Sequence, residues 1–240
     1  MEGEKPMKKN WKNGIALALT TLLLLGTPIA ALAAPQGPPS RTEEIEWTWE
    51  VRPAHSDPKL PNVLLLGDSI TRNYYPEVQR QLAGTTNVYL LATSASVGDP
   101  RLLRQLSDYA IAEPVTFSVV HFNNGMHGWA YSEAEYRAAF PSLIAELHAL
   151  APKAALVWAT TTPVKVDTEP GPTNSRILAR NSIAQSFVKE ARISIDDQHA
   201  LMAEHPDLYL DGVHYNEQGS NLQGVQAAKS IRRLLPHSEP

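Results

Sequence analysis

The chain has 240 residues, 43% of them apolar and 19% charged, and its 21 Lys+Arg against 25 Asp+Glu leave a formal charge of −4. Such a composition belongs to a folded globular chain rather than a disordered one. Its acidic balance argues against nucleic acid or an anionic membrane surface as main partner, since both are held by clustered Lys and Arg. With no cysteine, disulfides, thiolate chemistry and Cys-based zinc sites are excluded together.

Lys5, Lys8, Lys9 and Lys12 precede an uncharged apolar run from Ile15 to Leu25. Gly26, Pro28 and the small-residue stretch Ala30-Ala31-Leu32-Ala33-Ala34 follow. This order predicts a secretory signal peptide over residues 1–33, cleaved after Ala33. The apolar run falls short of the roughly 20 residues that a spanning helix needs. The expected product is therefore exported, periplasmic or extracellular, with no membrane span. It keeps 17 basic against 23 acidic residues. Residues 34–61 hold six prolines and little periodicity beyond the alternation of Trp47 and Trp49, an edge-strand pattern. They read as an extended lead-in packed onto one domain over residues 62–240.

From residue 62 onward strand and helix signals alternate. Val63 to Leu66 is a continuous apolar run, as in a strand buried on both faces. A short helix is predicted over Glu77–Leu82, a strand over Asn87–Leu91, and a helix over Pro100–Ala112 with proline in its first turn. The third strand spans Val115–Phe122. Ser132 and Glu135 form a capping box for the third helix, which Pro141 is expected to kink or divide. A fourth strand covers Ala155–Ala159, a polar loop residues 160–175, and a helix residues 176–190. Ile193–Ile195 is the fifth strand and Gln218–Leu234 the last helix. Strands separated by helices imply parallel pairing and an α/β three-layer domain.

Ligands of open parallel sheets bind beyond the carboxyl ends of the strands. The first strand exits into Gly67-Asp68-Ser69-Ile70-Thr71, which puts Ser69 where a helix begins and where free amides favour negative charge. A serine there also serves as a plain N-cap. Near the other end stands Asp211-Gly212-Val213-His214. A histidine three residues after an aspartate suits a general base whose tautomer the carboxylate fixes, although an Asp and a His on one loop are also ordinary surface residues. His121, inside a strand, reads as a satisfied core histidine. The run from Thr160 to Pro163 leaves the fourth strand at the active edge, and Arg180-Asn181 is given no chemistry.

Together, Gly67-Asp68-Ser69-Ile70 and Asp211-Gly212-Val213-His214 resemble the nucleophile block and the closing D-x-x-H block of the SGNH (GDSL-type) ester hydrolases. The likeness covers about residues 61–235. The Gly-x-Ser-x-Gly elbow of the α/β-hydrolases is not present. The resemblance implies a flavodoxin-like α/β/α sandwich whose five-stranded parallel sheet is ordered 2-1-3-4-5. It also implies an acyl-serine mechanism without metal or cofactor, in which Ser69 attacks, His214 is the base and Asp211 orients it.

The resemblance further implies an oxyanion hole. Gly98, in Ser96-Val97-Gly98-Asp99, matches the glycine that supplies a backbone N–H. The third block, normally Gly-x-Asn-Asp, reads Asn123-Asn124-Gly125-Met126-His127-Gly128, so His127 stands where asparagine is expected. A neutral imidazole donates one N–H to an oxyanion, Asn123 and Asn124 are the alternative donors, and His127 as an idle loop residue is the plain reading. The expected substrate is an O-acetyl or other short acyl ester of a small molecule or carbohydrate. Two other readings stand beside it: an exported carbohydrate-binding protein of the same fold without turnover, and a lipase or thioesterase for longer chains.

Overall fold

The structure is a computed structural model and describes residues 39–235; the expected signal peptide lies outside the described residues. Strands β1 (Thr48–Val51), β2 (Asn62–Gly67), β3 (Asn87–Thr93), β4 (Phe117–Phe122), β5 (Ala155–Ala159) and β6 (Ser194–Asp196) form one sheet, in the order β1-β3-β2-β4-β5-β6. The five strands β2 to β6 pair in parallel and keep the expected order, with β2 at the point where the chain reverses its direction of travel across the sheet. The sheet has six strands rather than five. The alternating Trp47/Trp49 segment adds β1 antiparallel to β3, Thr48 opposite Thr93 and Val51 opposite Leu90.

Six helices, α1 (Ser69–Gln81), α2 (Pro100–Ala112), α3 (Glu133–Leu150), α4 (Asn174–Glu190), α5 (Gln198–Ala203) and α6 (Glu217–Arg232), complete the layers, with a 3₁₀ turn at Pro206–Leu208. Side chains alternate across a strand, which explains the unbroken apolar run in β2. Leu64 and Leu66 face a core shared with α2, α3 and α4, while Val63 and Leu65 face a second core shared with α1 and α6. All four are essentially inaccessible, and each contributes roughly 1.5–3 kcal/mol relative to exposure. His121 in β4 is buried too, and its Nε2–H donates to Asp196 Oδ2 at 2.8 Å.

Two helices depart from expectation because of proline. Helix α1 starts at Ser69 rather than Glu77: Asp68 caps it, accepting the Ile70 N–H at 2.9 Å, and Pro76 lies inside the helix on its exposed side. Helix α3 likewise runs unbroken through Pro141, behind the expected Ser132–Glu135 capping box. Proline frees the carbonyl four residues earlier. For Pro141 that is the carbonyl of Arg137, a solvent-exposed residue. Helix α5 and the 3₁₀ turn occupy a stretch too short for a periodic signal.

Helix α1 packs directly on α6. Gly224 of α6 faces α1 so closely that a Cβ there would lie 2.6 Å from Glu77 Cβ and 2.9 Å from the backbone oxygen of Tyr74. Only a glycine lets the backbones approach this far. Gly224→Val should force the helices apart and lower the unfolding free energy by about 1–3 kcal/mol, the usual range for overpacking. A urea midpoint equal to that of the parent chain would show that the helices have room to spare.

Candidate active site

The nucleophile candidate follows from the β2–α1 turn. With Asp68 as N-cap, Ser69 is the first residue of α1, so its own N–H is among those that a helix leaves without an internal acceptor. Its hydroxyl lies 2.7 Å from His214 Nε2. On the other side of that ring, Nδ1 is 2.9 Å from Asp211 Oδ2. A carboxylate only accepts, so Nδ1 carries the proton and Nε2 is left to accept from Ser69. The other carboxylate oxygen, Oδ1, accepts the N–H groups of Val213 and His214 at 2.8 and 2.7 Å. Burial alone would raise the Asp211 pKa, but these backbone donors and the His214 ring push it down to about 2.

The segment carrying Asp211 and His214 is a tight loop locked from outside. Tyr209 and Tyr215 form an isolated bridge and stack at 4.5 Å, and both hydroxyls donate to the Pro163 carbonyl. The Lys165 N–H donates to Gly212 O at 2.9 Å. Asn216 then caps α6 by accepting the Gly219 N–H. The loop after β5 is thus the splint for the histidine.

The candidate oxyanion donors separate into two groups. Asn123 Nδ2 donates to Ala159 O at 2.7 Å and to Thr161 Oγ1 at 3.1 Å. Asn124 accepts the Val97 N–H at 2.7 Å and donates to Ala95 O at 2.9 Å. Both amides are buried and engaged in pinning neighbouring loops. Gly98, at φ +99°, sits in the loop that Asn124 pins, and its N–H meets no acceptor among the described residues. It lines a cavity of about 220 Å³ between α2 and α3, with Leu102, Leu103 and Leu143, and not the cavity that Ser69 lines.

His127 does share a cavity with Ser69 and His214. This cleft of about 620 Å³ is walled by Ile45, Met126, Trp129, Pro172 and Val213 and by the carboxylates of Glu43 and Glu44. His127 Nδ1 lies 2.8 Å from Glu43 Oε2, and its ring packs T-shaped with that of Trp47, centroids 5.9 Å apart. Arg72 lies over the faces of Trp47 and Trp49, 5.5 and 5.2 Å from their centroids. No group of three or more His, Cys, Asp or Glu placed to hold a metal ion occurs among the described residues. No helix among them is long and apolar enough to cross a membrane.

A serine at a helix N-terminus, facing an Asp–His pair at the carboxyl edge of a 2-1-3-4-5 parallel sheet, defines the SGNH class of fold. Residues 65–222 match the profile of the GDSL-like lipase/acylhydrolase family, and the chain belongs to that family. A search of curated protein sequences gives no match. Solved structures agree at the level of fold. A member of the lipolytic G-D-S-L family from Veillonella parvula is 18% identical with a TM-score of 0.56, over 72% of this chain and 99% of that one. A carbohydrate esterase of family 3 from Talaromyces cellulolyticus is 16% identical, TM-score 0.58, over 73% and 98%. The catalytic domain of a peptidoglycan O-acetyltransferase from Streptococcus pneumoniae is 15% identical, TM-score 0.55, over 73% and 94%.

Arg180, given no role from the sequence, holds the loop that carries His127. Its side chain is 1% exposed. Its guanidinium donates to the carbonyls of His127, Gly128 and Tyr131 at 2.7, 2.9 and 3.1 Å and to Gly125 at 3.3 Å. It also lies 4.2 Å from the Trp129 ring centroid. Burial lowers its pKa to about 10, with Arg176 adding to the fall and Glu133 opposing it, so it remains charged at neutral pH. A basic residue on a helix gives no sequence signal that four loop carbonyls converge on it. Arg180→Met keeps the length of the stem and removes the donors. It should destabilise the fold by roughly 2–4 kcal/mol, the penalty for orphaning several buried acceptors. A loss under about 0.5 kcal/mol in chemical denaturation would mean that the loop is held elsewhere.

Proposed function

We propose that this protein is an exported serine ester hydrolase working through an acyl-serine intermediate, with Ser69, His214 and Asp211 as its catalytic residues. The observation that carries this reading is the Ser69 Oγ to His214 Nε2 distance of 2.7 Å, with Asp211 on the far nitrogen at 2.9 Å. A hydroxyl is a poor nucleophile at its own pKa and needs an adjacent base already in the accepting tautomer. That arrangement is in place before any ligand arrives.

In the proposed cycle, His214 Nε2 takes the Ser69 proton as Oγ attacks the ester carbonyl. The tetrahedral oxyanion is met by the N–H of Ser69 and the side chain of His127. The Gly98 N–H, which has no acceptor of its own among the described residues, is proposed as the third donor although Gly98 itself lines another cavity. His214 then returns the proton to the departing alcohol. Water, deprotonated by the same ring, attacks the acyl-serine and releases the acid and free Ser69. The positive end of α1 favours the charge that develops beside Ser69.

The proposed substrate is an O-acetyl or other short acyl ester, carbohydrate being the favoured alcohol. Similarity to a carbohydrate esterase and a peptidoglycan O-acetyltransferase supports this class, as does the expected export. The acidic cleft edge at Glu43 and Glu44 disfavours anionic lipid headgroups. A higher rate on acetyl than on octanoyl aryl esters is the expected outcome, and the reverse order would assign the cleft to longer chains.

Ser69→Ala should reduce turnover of a chromogenic acetyl ester by at least about 1,000-fold and abolish labelling by a fluorophosphonate while the fold persists. Retained labelling would move the nucleophile to another residue. His127→Ala should lower kcat by about 100- to 1,000-fold with little change in KM, as expected for a donor used only in the transition state. A loss under about tenfold would place the side-chain donor elsewhere.

A further inference from the structure

The segment before β1 lines the cleft through Thr42, Glu43, Glu44 and Ile45 and is fixed at both ends. Ser40 Oγ donates to Asp99 Oδ2 at 2.6 Å, and the Arg41 N–H donates to the Tyr131 hydroxyl at 2.8 Å. At the other end Glu46 accepts from Ser94 Oγ at 2.6 Å and from Arg101 at 2.8 Å, while the Trp47 N–H donates to Ser94 Oγ. Between these anchors Glu43 points into the loop after β4. One of its oxygens accepts the Gly128 N–H and the other lies against His127 Nδ1, both at 2.8 Å.

These contacts fix a proton. The Glu43 carboxylate is an acceptor on both oxygens, so the hydrogen between it and His127 sits on Nδ1. A neutral ring with its only hydrogen on Nδ1 has a bare lone pair on Nε2, which repels an oxyanion. His127 therefore serves the reaction as a donor only when it is doubly protonated.

We propose that Glu43 is a positioning residue that holds His127 as an imidazolium, so that a charged Nε2–H, in place of a neutral amide, completes the oxyanion hole. The proposal rests on the ester-hydrolase reading. The groups that face this ring agree with it. Burial opposes the charge, but the hydrogen bond to Glu43 and the charges of Asp68, Glu43 and Glu46 outweigh it, and the His127 pKa lies above that of ordinary imidazole. The Glu43 carboxyl is correspondingly lowered, burial being outweighed by His127 and the Gly128 N–H. Of the cations around it, Arg180 binds the His127 backbone carbonyl rather than its ring, and Arg72 lies over the ring of Trp47. His214 and Glu44 line the same cleft.

The protonated form of His127 is the active one, so activity falls as pH rises through its pKa, which gives the kcat/KM profile an alkaline limb. Glu43→Gln keeps an acceptor for Nδ1 but removes the charge. It should shift the alkaline limb to lower pH and reduce kcat at pH 8 by about 10- to 100-fold, leaving KM nearly unchanged. His127→Asn should abolish the alkaline limb, and adding Glu43→Gln to it should bring no further loss. An alkaline limb unmoved by Glu43→Gln overturns the proposal.

Should Glu43→Gln fail to fold, the ring nitrogens answer directly. In the full chain carrying Ser69→Ala, ¹⁵N NMR at pH 7.5 should show both His127 nitrogens protonated, and a neutral ring overturns the proposal. Fluorophosphonate labelling of the parent enzyme keeps the two questions apart. Labelled, active enzyme with a neutral His127 refutes only the role of Glu43; unlabelled, inactive enzyme refutes the hydrolase reading itself.

Discussion

Backbone contact between α1 and α6 is the constraint on which the site depends. Ser69 opens the first helix after the central strand, and His214 stands just ahead of the last helix. The two residues meet only because these helices lie side by side with their N-termini at the same edge of the sheet. The absent side chain at Gly224 sets how near the helices come. Asp68 and Asn216 stop each helix at its capped first turn. A hydrogen bond of 2.7 Å tolerates little slack, and a shift of about 1 Å between such groups is enough to lose much of a catalyst's advantage.

Around that pair the structure is built from polar side chains whose partners are backbone groups of other loops. Asn123 ties the end of β4 to the end of β5. Asn124 ties the same strand to the loop after β3, and Arg180 gathers four carbonyls of the loop that bears His127. Each buried donor or acceptor left alone would cost about 1–3 kcal/mol, so these loops have few alternative conformations. Rigidity in the loops, rather than in the sheet alone, lets an irregular edge hold a defined cleft.

The parallel sheet was legible in the sequence because its strands obey period-two burial with apolar residues on both faces, as Val63 to Leu66 do, and because Ser69 and the Asp211–His214 pair sit in short motifs at fixed positions beside strand and helix ends. The features that escaped have physical reasons. Pro76 looks like a helix start when the side on which it falls is unknown. The roles of Asn123 and Asn124 turn on whether their amides have partners, and those partners, at residues 95, 97, 159 and 161, lie in other loops. Arg180 and Glu43 act on backbone groups about 50 and 85 positions away, a distance across which residue types carry no pattern. Glu43 in particular falls within a proline-rich lead-in whose composition suggests only an extended chain.

The cleft contains two imidazole–carboxylate pairs, and their chemistry differs because of what stands on the second nitrogen. At His214 that neighbour is the Ser69 hydroxyl, a proton donor, so the ring works as an acceptor and is useful when neutral. At His127, which lines the same cleft as Ser69, the second nitrogen is proposed to meet the developing negative charge, a role the ring fills when it carries both protons. Asp211 divides its acceptors between the ring and its own loop's amides; Glu43 divides them between the ring and the Gly128 amide, with Asp68 and Glu46 adding to its field. In the proposed mechanism one residue type supplies base and acid in a single cleft, the separation of roles that acid–base catalysts achieve by giving like groups unlike surroundings. An asparagine in the place of His127 would donate at every pH. On the proposed reading the histidine donates only while the segment ahead of β1 keeps its carboxylate against the ring, which couples activity to the docking of that segment.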